Sequence, residues 1–254
     1  ARLLYELLPY GPVLNRFDGG NLRNAIPREA YAVFGVHSDH KEELKHKLKK
    51  YYEDILNEYK GIEPSMDLRV EKCERPEYCL DSETSIALVR AIYSAPHGVV
   101  SMSHDIEGLV ETSTNLASVK IVDDHTIRIT TSQRSSVESR KNDIAGQVEA
   151  HFQLAGAKVY HSDGYPGWAP NMDSRIMHIA SDAYEELYGV RPAIKAIHAG
   201  LECGLFLEKY PHLDMVSFGP TLQGVHSPSE RMHIPAVERF WGQLTRTIEK
   251  VAEL

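Results

Sequence analysis

The order of predicted helices and strands repeats in the first part of the chain, and this repeat limits the fold more than any other feature. Residues 3–59 predict a helix, a glycine-containing turn with a polar strand, a hairpin strand and an amphipathic helix. Residues 83–155 predict the same succession, with a shared order of elements rather than shared residues. Because each apolar helix or sheet face must pack against another layer, the repeat predicts two α/β halves of one domain.

Apolar spacing predicts the individual elements. Residues three and four apart indicate five helices, whose apolar positions are Leu44, Leu48, Ile55 and Tyr59; Ile86, Val89 and Tyr93; Val137, Ile144 and Val148; Ile176, Ile179, Ala183 and Leu187; and Val237, Trp241, Leu244, Ile248 and Val251. Short apolar runs indicate strands at 30–36, 117–122, 126–131, 193–199 and 214–218. The first of these helices is predicted to begin at a capping box of Asp39 and Glu42. The fourth is predicted to begin near Asp173, and the last has Pro235 in its first turn.

A cluster of glycine, proline and tryptophan at 162–174 follows the repeat. A rigid, extended stretch of this composition is typical of a linker, so we expect a domain boundary here. The alternative is a long loop within a single domain.

The composition excludes several classes of protein. The formal net charge is -8, and acidic residues follow the lysine-rich run at 45–50, so we expect no basic face for nucleic acid. No apolar stretch approaches the roughly 20 residues that span a bilayer, and the first residues lack the features of a signal peptide. The three cysteines form no Cys-x-x-Cys pair and fit reduced thiols. The sequence therefore predicts a cytoplasmic globular protein without nucleic-acid or membrane partners.

One histidine, His226, lies in the glycine-, serine- and proline-containing segment LQGVHSPSERM, after the apolar run at 214–218. Imidazole is a common ligand for zinc, cobalt or manganese, and a loop after a strand could project it into a cleft. From spacing alone, a surface or core histidine is the alternative. The His-x-Asp triplets and Glu-Glu pairs of this chain fit helix caps, turns and amphipathic helices instead. The residues alone thus indicate at most a single metal ligand.

Five ordered motifs add a resemblance to a known family. The segments GGNLRNAIPREA, GLVETSTNL, SQRSSVESR, AIHAGLECGLF and GPTLQGVHSPSERM resemble the C-terminal half of the bacterial aminoacyl-histidine (Xaa-His) dipeptidases, which belong to the superfamily of metal-dependent dipeptidases, carnosinases and aminoacylases. The resemblance implies an α/β fold with an internally duplicated, ferredoxin-like α+β lid at 1–165. The C-terminal part of a phosphorylase/hydrolase-like α/β catalytic domain then occupies 166–254. It also implies that the chain is a C-terminal portion, because the other metal-ligand motifs of such enzymes precede the lid.

Individual site residues follow from the matched motifs. His226 matches the last metal ligand, with Ser227 and Glu230 beside it to orient the ring, although Glu230 could instead cap a turn. Asn24 matches a lid asparagine that reaches the substrate and can stabilise an oxyanion, with a turn-forming role as its alternative. Arg134 matches a lid arginine that holds the substrate carboxylate.

His198 and Glu202 match a loop that lines the cleft, where Glu202 could hold the free amine of the substrate. A structural role for both residues is the alternative.

The implied activity is metal-dependent hydrolysis of unblocked dipeptides, especially Xaa-His. The implied cofactors are two divalent metal ions in the full-length enzyme, zinc first and cobalt or manganese as alternatives. The chain alone is expected to be inactive, and a homodimer is left open. Two other functions stay in consideration: a deacylase of the same superfamily, and a non-catalytic α/β binding or dimerisation module.

Overall fold

The structure, a computed structural model, describes residues 1–104, 106–123, 126–162, 164–168, 171–195, 202–225 and 229–254. Its helices are α1 (Arg2–Glu6), α2 (Lys41–Tyr59), α3 (Ser82–Ser94), α4 (Glu138–Leu154), α5 (Arg175–Tyr188), α6 (Glu202–Lys209) and α7 (Ile234–Ala252). Its strands are β1 (Val13–Gly19), β2 (Ala30–Gly35), β3 (Gly98–Met102), β4 (Val110–Asp123), β5 (Thr126–Ser135), β6 (Leu222–Gln223) and β7 (Arg231–Met232). The predicted α/β class is confirmed, with helices beside antiparallel strands.

The main sheet has the strand order β2-β1-β4-β3, and β5 also pairs with β4. β1 and β2 are antiparallel, with Val13 opposite Gly35 and Gly19 opposite Ala30. β4 is long enough to have several partners: Val119 pairs with Gly19 of β1, whereas Thr114 pairs with Gly98 of β3. The strands predicted at 30–36, 117–122 and 126–131 thus belong to this sheet.

Two predicted strands are wrong. The polar strand predicted within 19–30 is a connection of turns after Gly19, and the strand lies before it, at Val13–Gly19. Residues 214–218 form no strand, because a strand needs a pairing partner and none of the described residues pairs with them. Residues 193–195 are likewise outside any strand, and 196–199 lie outside the described residues.

The helix predicted from residue 3 corresponds to α1, and the other five predicted helices correspond to α2, α3, α4, α5 and α7. The predicted capping box of α2 is wrong. Asp39 lies in a short 3-10 turn, Ser38–His40, and the residue before α2 is His40, so the capping box does not form. Glu42 pairs with Lys45 at 2.8 Å instead. The predicted start near Asp173 is confirmed, since α5 begins at Arg175. Ser174 caps the helix, because its Oγ accepts a hydrogen bond from the backbone N–H of Met177 at 3.2 Å.

The chain divides into two compact units. Unit 1 contains 1–97, 115–132 and 147–159, and unit 2 contains 98–114, 133–146 and 160–254. The boundary at 165 and the internal duplication of the lid stay predictions.

Unit 1 has an apolar core between α3 and the sheet. Its buried members are Leu4, Leu14, Phe17, Leu88, Val89, Ile92 and Val119. Full burial of a side chain of this size stabilises the fold by about 1.5–3 kcal/mol. A polar contact fixes the packing, since the backbone N–H of Leu14 donates to Ser85 Oγ at 3.0 Å in a buried position. These contacts hold β1, at whose end the connection of turns after Gly19 begins, against α3.

In unit 2, α5 and α7 pack against each other through polar side chains. Gln243 Nε2 donates to the carbonyl oxygen of Ala180 at 3.1 Å, and Thr247 is also buried. Glu186 binds Arg246 at 2.8 Å and Lys250 at 2.7 Å. These two cations lower the pKa of the Glu186 carboxyl, with Lys250 as the larger cause.

The predicted apolar stripe of α7 is largely exposed. Trp241 is 66% exposed and Ile248 is 61% exposed, and Val237 and Val251 are also exposed. The helix therefore turns its polar face, rather than its apolar face, towards α5.

Candidate functional site

Asn24 lies at an exposed turn in the connection between β1 and β2. The backbone N–H of Ala25 donates to the carbonyl oxygen of Leu22 at 3.2 Å, which closes the turn around Asn24. The sequence predicted an asparagine that either forms a turn or reaches a substrate. Its position at an exposed turn is compatible with both roles.

The start of this connection lies directly on β4. Gly20 has a φ of 65°, and a Cβ atom added there would lie 1.9 Å from the carbonyl oxygen of Ala117. Only glycine combines this left-handed backbone with such a close approach. Position 20 thus fixes where the chain leaves β1.

A lysine on β4 holds the same end of the connection. Lys120 Nζ donates to Asn21 Oδ1 at 3.1 Å and forms a short hydrogen-bonded ion pair with Asp18. The hydrogen bond from Lys120 is the largest cause of a lowered pKa at the Asp18 carboxyl. The pair therefore favours the ionised carboxylate.

Asn115 of β4 contacts the turn itself. Its Nδ2 group donates to the carbonyl oxygen of Arg23 at 3.3 Å and to that of Ala25 at 2.8 Å. No sequence pattern singled out Asn115 as a site residue, although it belongs to the motif GLVETSTNL. The feature that could have indicated it is a run of polar residues within a segment whose pattern otherwise predicts a strand.

Arg134 is the last residue but one of β5 and is half-buried. Its neighbours on either side form cross-strand contacts: Gln133 Nε2 donates to Thr114 Oγ1 at 3.1 Å, and the Ser135 and Thr112 hydroxyls are 2.9 Å apart. Because alternate residues of a strand face opposite sides, these contacts direct Arg134 to the other side of β5. In the described part of the chain, no hydrogen bond or ion pair joins the Arg134 guanidinium to another residue.

Glu111 is a buried acidic residue near this strand end, with 9% of its surface exposed. Its carboxylate accepts hydrogen bonds from Ser101 Oγ at 3.0 Å and from Thr112 Oγ1 at 3.2 Å, and Arg140 Nε lies 3.9 Å away. A buried carboxylate needs such partners to offset its desolvation. The cluster therefore orders β3 and β4 beside the end of β5.

Glu202 is the first residue of α6 and is exposed. A carboxylate at a helix N-terminus stabilises the helix dipole, so this position suits Glu202 even without a ligand. Among the described residues, no hydrogen bond or ion pair joins Glu202 to Arg134. The structure does not bring these two predicted substrate ligands into contact.

His226 and Ser227 lie outside the described residues, as does His198. Their flanks are described: β6 and β7 pair with Leu222 opposite Met232, and Glu230 is an exposed residue directly before β7. β6 and β7 thus pair as two short antiparallel strands, which lie on either side of His226 in the sequence.

Within the residues that the structure describes, no three side chains of His, Cys, Asp or Glu come close enough together to hold a metal ion. None of the helices in those ranges is long and apolar enough to cross a membrane.

Residues 18–250 match the profile of the peptidase family M20/M25/M40, and the chain belongs to this family.

Two relatives show how much of the family fold is present. The chain is 38% identical over 235 residues to the cytosol non-specific dipeptidase of Escherichia coli (strain K12), a match that covers 92% of this chain and 48% of that protein. It is similar to the crystal structure of aminoacylhistidine dipeptidase from Vibrio alginolyticus, with a TM-score of 0.83 and 36% identity, over 98% of this chain and 51% of that one. The chain thus spans about half the length of these relatives.

Proposed function

We propose that this chain takes part in the metal-dependent hydrolysis of unblocked dipeptides, with Xaa-His dipeptides among its substrates. The observation that carries the proposal is the family match over residues 18–250. The names of the two relatives, a cytosol non-specific dipeptidase and an aminoacylhistidine dipeptidase, support a dipeptide as the substrate and the cytosol as the location.

Asn24 acts on the scissile carbonyl in this proposal. Hydrolysis of a peptide bond places negative charge on the carbonyl oxygen, and a fixed N–H donor stabilises that charge more than it stabilises the ground state. An exposed side-chain amide on a turn that is fixed to β4 supplies such a donor.

Arg134 recognises the C-terminal carboxylate of the dipeptide. A guanidinium binds a carboxylate with two parallel hydrogen bonds, which lysine cannot reproduce. Gln133 and Ser135 are tied to β4 on either side of it, so little side-chain and backbone freedom of this strand end is lost on binding.

His226 is the metal ligand that this chain contributes, and Ser227 and Glu230 orient its ring. When bound, two divalent ions, with zinc before cobalt or manganese, would polarise the carbonyl and make the attacking water more acidic. His198 and Glu202 contact the dipeptide, and Glu202 binds its free amine. In this proposal the 254-residue chain is inactive alone, because its matched motifs supply one metal ligand, His226, where a two-metal site needs several.

A substrate panel tests the proposal in the full-length protein. Free Xaa-His dipeptides, other free dipeptides and N-acylated amino acids are assayed with zinc, cobalt and manganese in turn. Hydrolysis of free dipeptides with little turnover of the N-acylated compounds is expected. Preferential turnover of the N-acylated compounds would show a deacylase, and no turnover with any metal would favour a non-catalytic binding module.

A further inference from the structure

We infer that Asn115 is a positioning residue: its side-chain amide holds the turn that presents Asn24. The inference rests on the proposed role of Asn24 in dipeptide hydrolysis. Asn115 lies 91 positions from Asn24 in the sequence, yet its Nδ2 donates to the carbonyl oxygens of the residues on both sides of it, Arg23 and Ala25.

These two hydrogen bonds hold the peptide unit that precedes Asn24 and the peptide unit between Ala25 and Ile26. The Arg23 carbonyl belongs to the peptide unit that enters Asn24, and the Ala25 carbonyl to the unit that follows the turn. Holding both limits rotation of the backbone at position 24. The direction in which the Asn24 side chain projects is therefore set by Asn115.

The remainder of the Asn115 side chain supports a donor role. Its Oδ1 atom is buried and has no hydrogen-bond partner among the described residues. The opposite orientation of the amide would place Oδ1 against two carbonyl oxygens, which repel it. Only the Nδ2 donors therefore make favourable contacts at this position.

The turn has little other support at its tip. Leu22 is 54% exposed and Ile26 is 76% exposed, so apolar packing does not anchor the two ends of the turn. Gly20 and Lys120 fix the start of the connection, several residues before Asn24. Among the described residues, the contact from Asn115 is the one that acts on the carbonyl oxygens of Arg23 and Ala25.

The matched variants are Asn115→Asp and Asn15→Asp. The first retains the shape of the side chain but removes both donors and places a carboxylate against two carbonyl oxygens. The second breaks a hydrogen bond of the same kind, from Asn15 Nδ2 to the carbonyl oxygen of Tyr78 at 2.8 Å, elsewhere on unit 1. Circular dichroism and thermal unfolding of both establish that each variant folds.

Amide hydrogen exchange on the 254-residue chain tests the positioning without any assay of activity. The Ala25 amide, which donates to Leu22, is expected to exchange about 10-fold faster in N115D, because the loss of about 1.4 kcal/mol corresponds to a tenfold change in the opening equilibrium. N15D should leave it unchanged. Equal exchange in N115D and the unmutated chain would overturn the inference.

Steady-state kinetics then test the consequence in a catalytically active form of the protein. Removal of one oxyanion donor typically costs about 100- to 1,000-fold in kcat, so N24A gives the upper bound on the loss expected from N115D. N115D is expected to lose about 10-fold or more in kcat, with a smaller change in KM. The double variant should be no worse than N24A. Full activity of N115D alongside an inactive N24A would refute the positioning role. Full activity of N24A would contradict the proposed function instead, while hydrogen exchange still decides the role of Asn115.

Discussion

A Cβ atom added to Gly242 would lie 2.6 Å from the hydroxyl oxygen of Tyr188. The tyrosine is held in place, because its hydroxyl donates to the carbonyl oxygen of Arg239 at 3.0 Å. Helix α7 therefore approaches α5 at a point where no larger residue fits without moving a hydrogen-bonded ring.

Gly242→Ala is expected to destabilise unit 2. Alanine favours a helix over glycine by about 1 kcal/mol, but crowding a packed contact costs about 1–3 kcal/mol. The expected net loss is up to about 2 kcal/mol in the free energy of unfolding, measured by urea denaturation. The matched control is Gly146→Ala in α4, where an added Cβ meets no atom within 4 Å. The free energy of unfolding of that variant should rise by up to about 1 kcal/mol. A rise for both variants would show that the Tyr188 ring moves aside at little cost.

Lys120→Met is expected to change the acid stability of unit 1. Lys120 lowers the pKa of Asp18 below its ordinary value of 3.8 in the folded chain. The contribution of this carboxylate is therefore fully present above pH 3.8 and is lost as the pH falls through the lowered pKa. In thermal unfolding between pH 2 and 7, the unmutated chain should unfold at a higher temperature than K120M, and this difference should become smaller as the pH falls. Asp18→Asn should give the same narrowing, and a gap independent of pH would contradict the assignment.

Arg134→Ala is expected to weaken the use of free dipeptides in an active form of the protein. Loss of a charge-assisted interaction of about 1.5–3 kcal/mol corresponds to a fall of about 10- to 100-fold in kcat/KM. Arg134→Lys should retain only part of the kcat/KM that Arg134→Ala loses. The loss should shrink for a dipeptide with an amidated C-terminus, which has no carboxylate to bind. The control is Arg128→Ala, an exposed arginine on the same strand, and equal losses for free and amidated substrates would assign Arg134 a structural role.

His226→Ala is expected to lower metal occupancy while the fold is retained. Loss of a direct ligand should reduce kcat by more than the roughly 10- to 100-fold that follows loss of a residue behind the ligand. Elemental analysis of the active protein gives the metal content, and circular dichroism checks the fold. His233→Ala, at an exposed histidine directly before α7, is the control. Unchanged metal content in H226A would remove His226 from the metal site.

The sequence predicted those parts of the fold that depend on local periodicity. The helix with Pro235 in its first turn and the strand pair around 117–131 follow from spacing within a few residues. The contacts around Asn24 could not be predicted in this way, because Asn115 meets Arg23 across 92 positions of the chain. The same limit explains the error at 214–218, since the apolar run there is compatible with a strand and only pairing makes it one.

The orientation of α7 also could not be predicted from the sequence. The spacing of apolar residues located the apolar stripe but did not show which face of the helix contacts α5. That contact is made by Gln243 and Thr247, which can be buried because their polar groups are hydrogen-bonded.

The exposed stripe of α7 also gives the chain an optical reporter. Trp241 is 66% exposed, whereas Trp168, the other tryptophan, is half-buried. An indole in water emits at longer wavelength than one in apolar surroundings, so Trp241 should dominate the red edge of the emission spectrum. Quenching by iodide, which reaches only exposed rings, would separate its signal from that of Trp168. Any molecule that covers this face of the helix can then be followed by light alone, without a label.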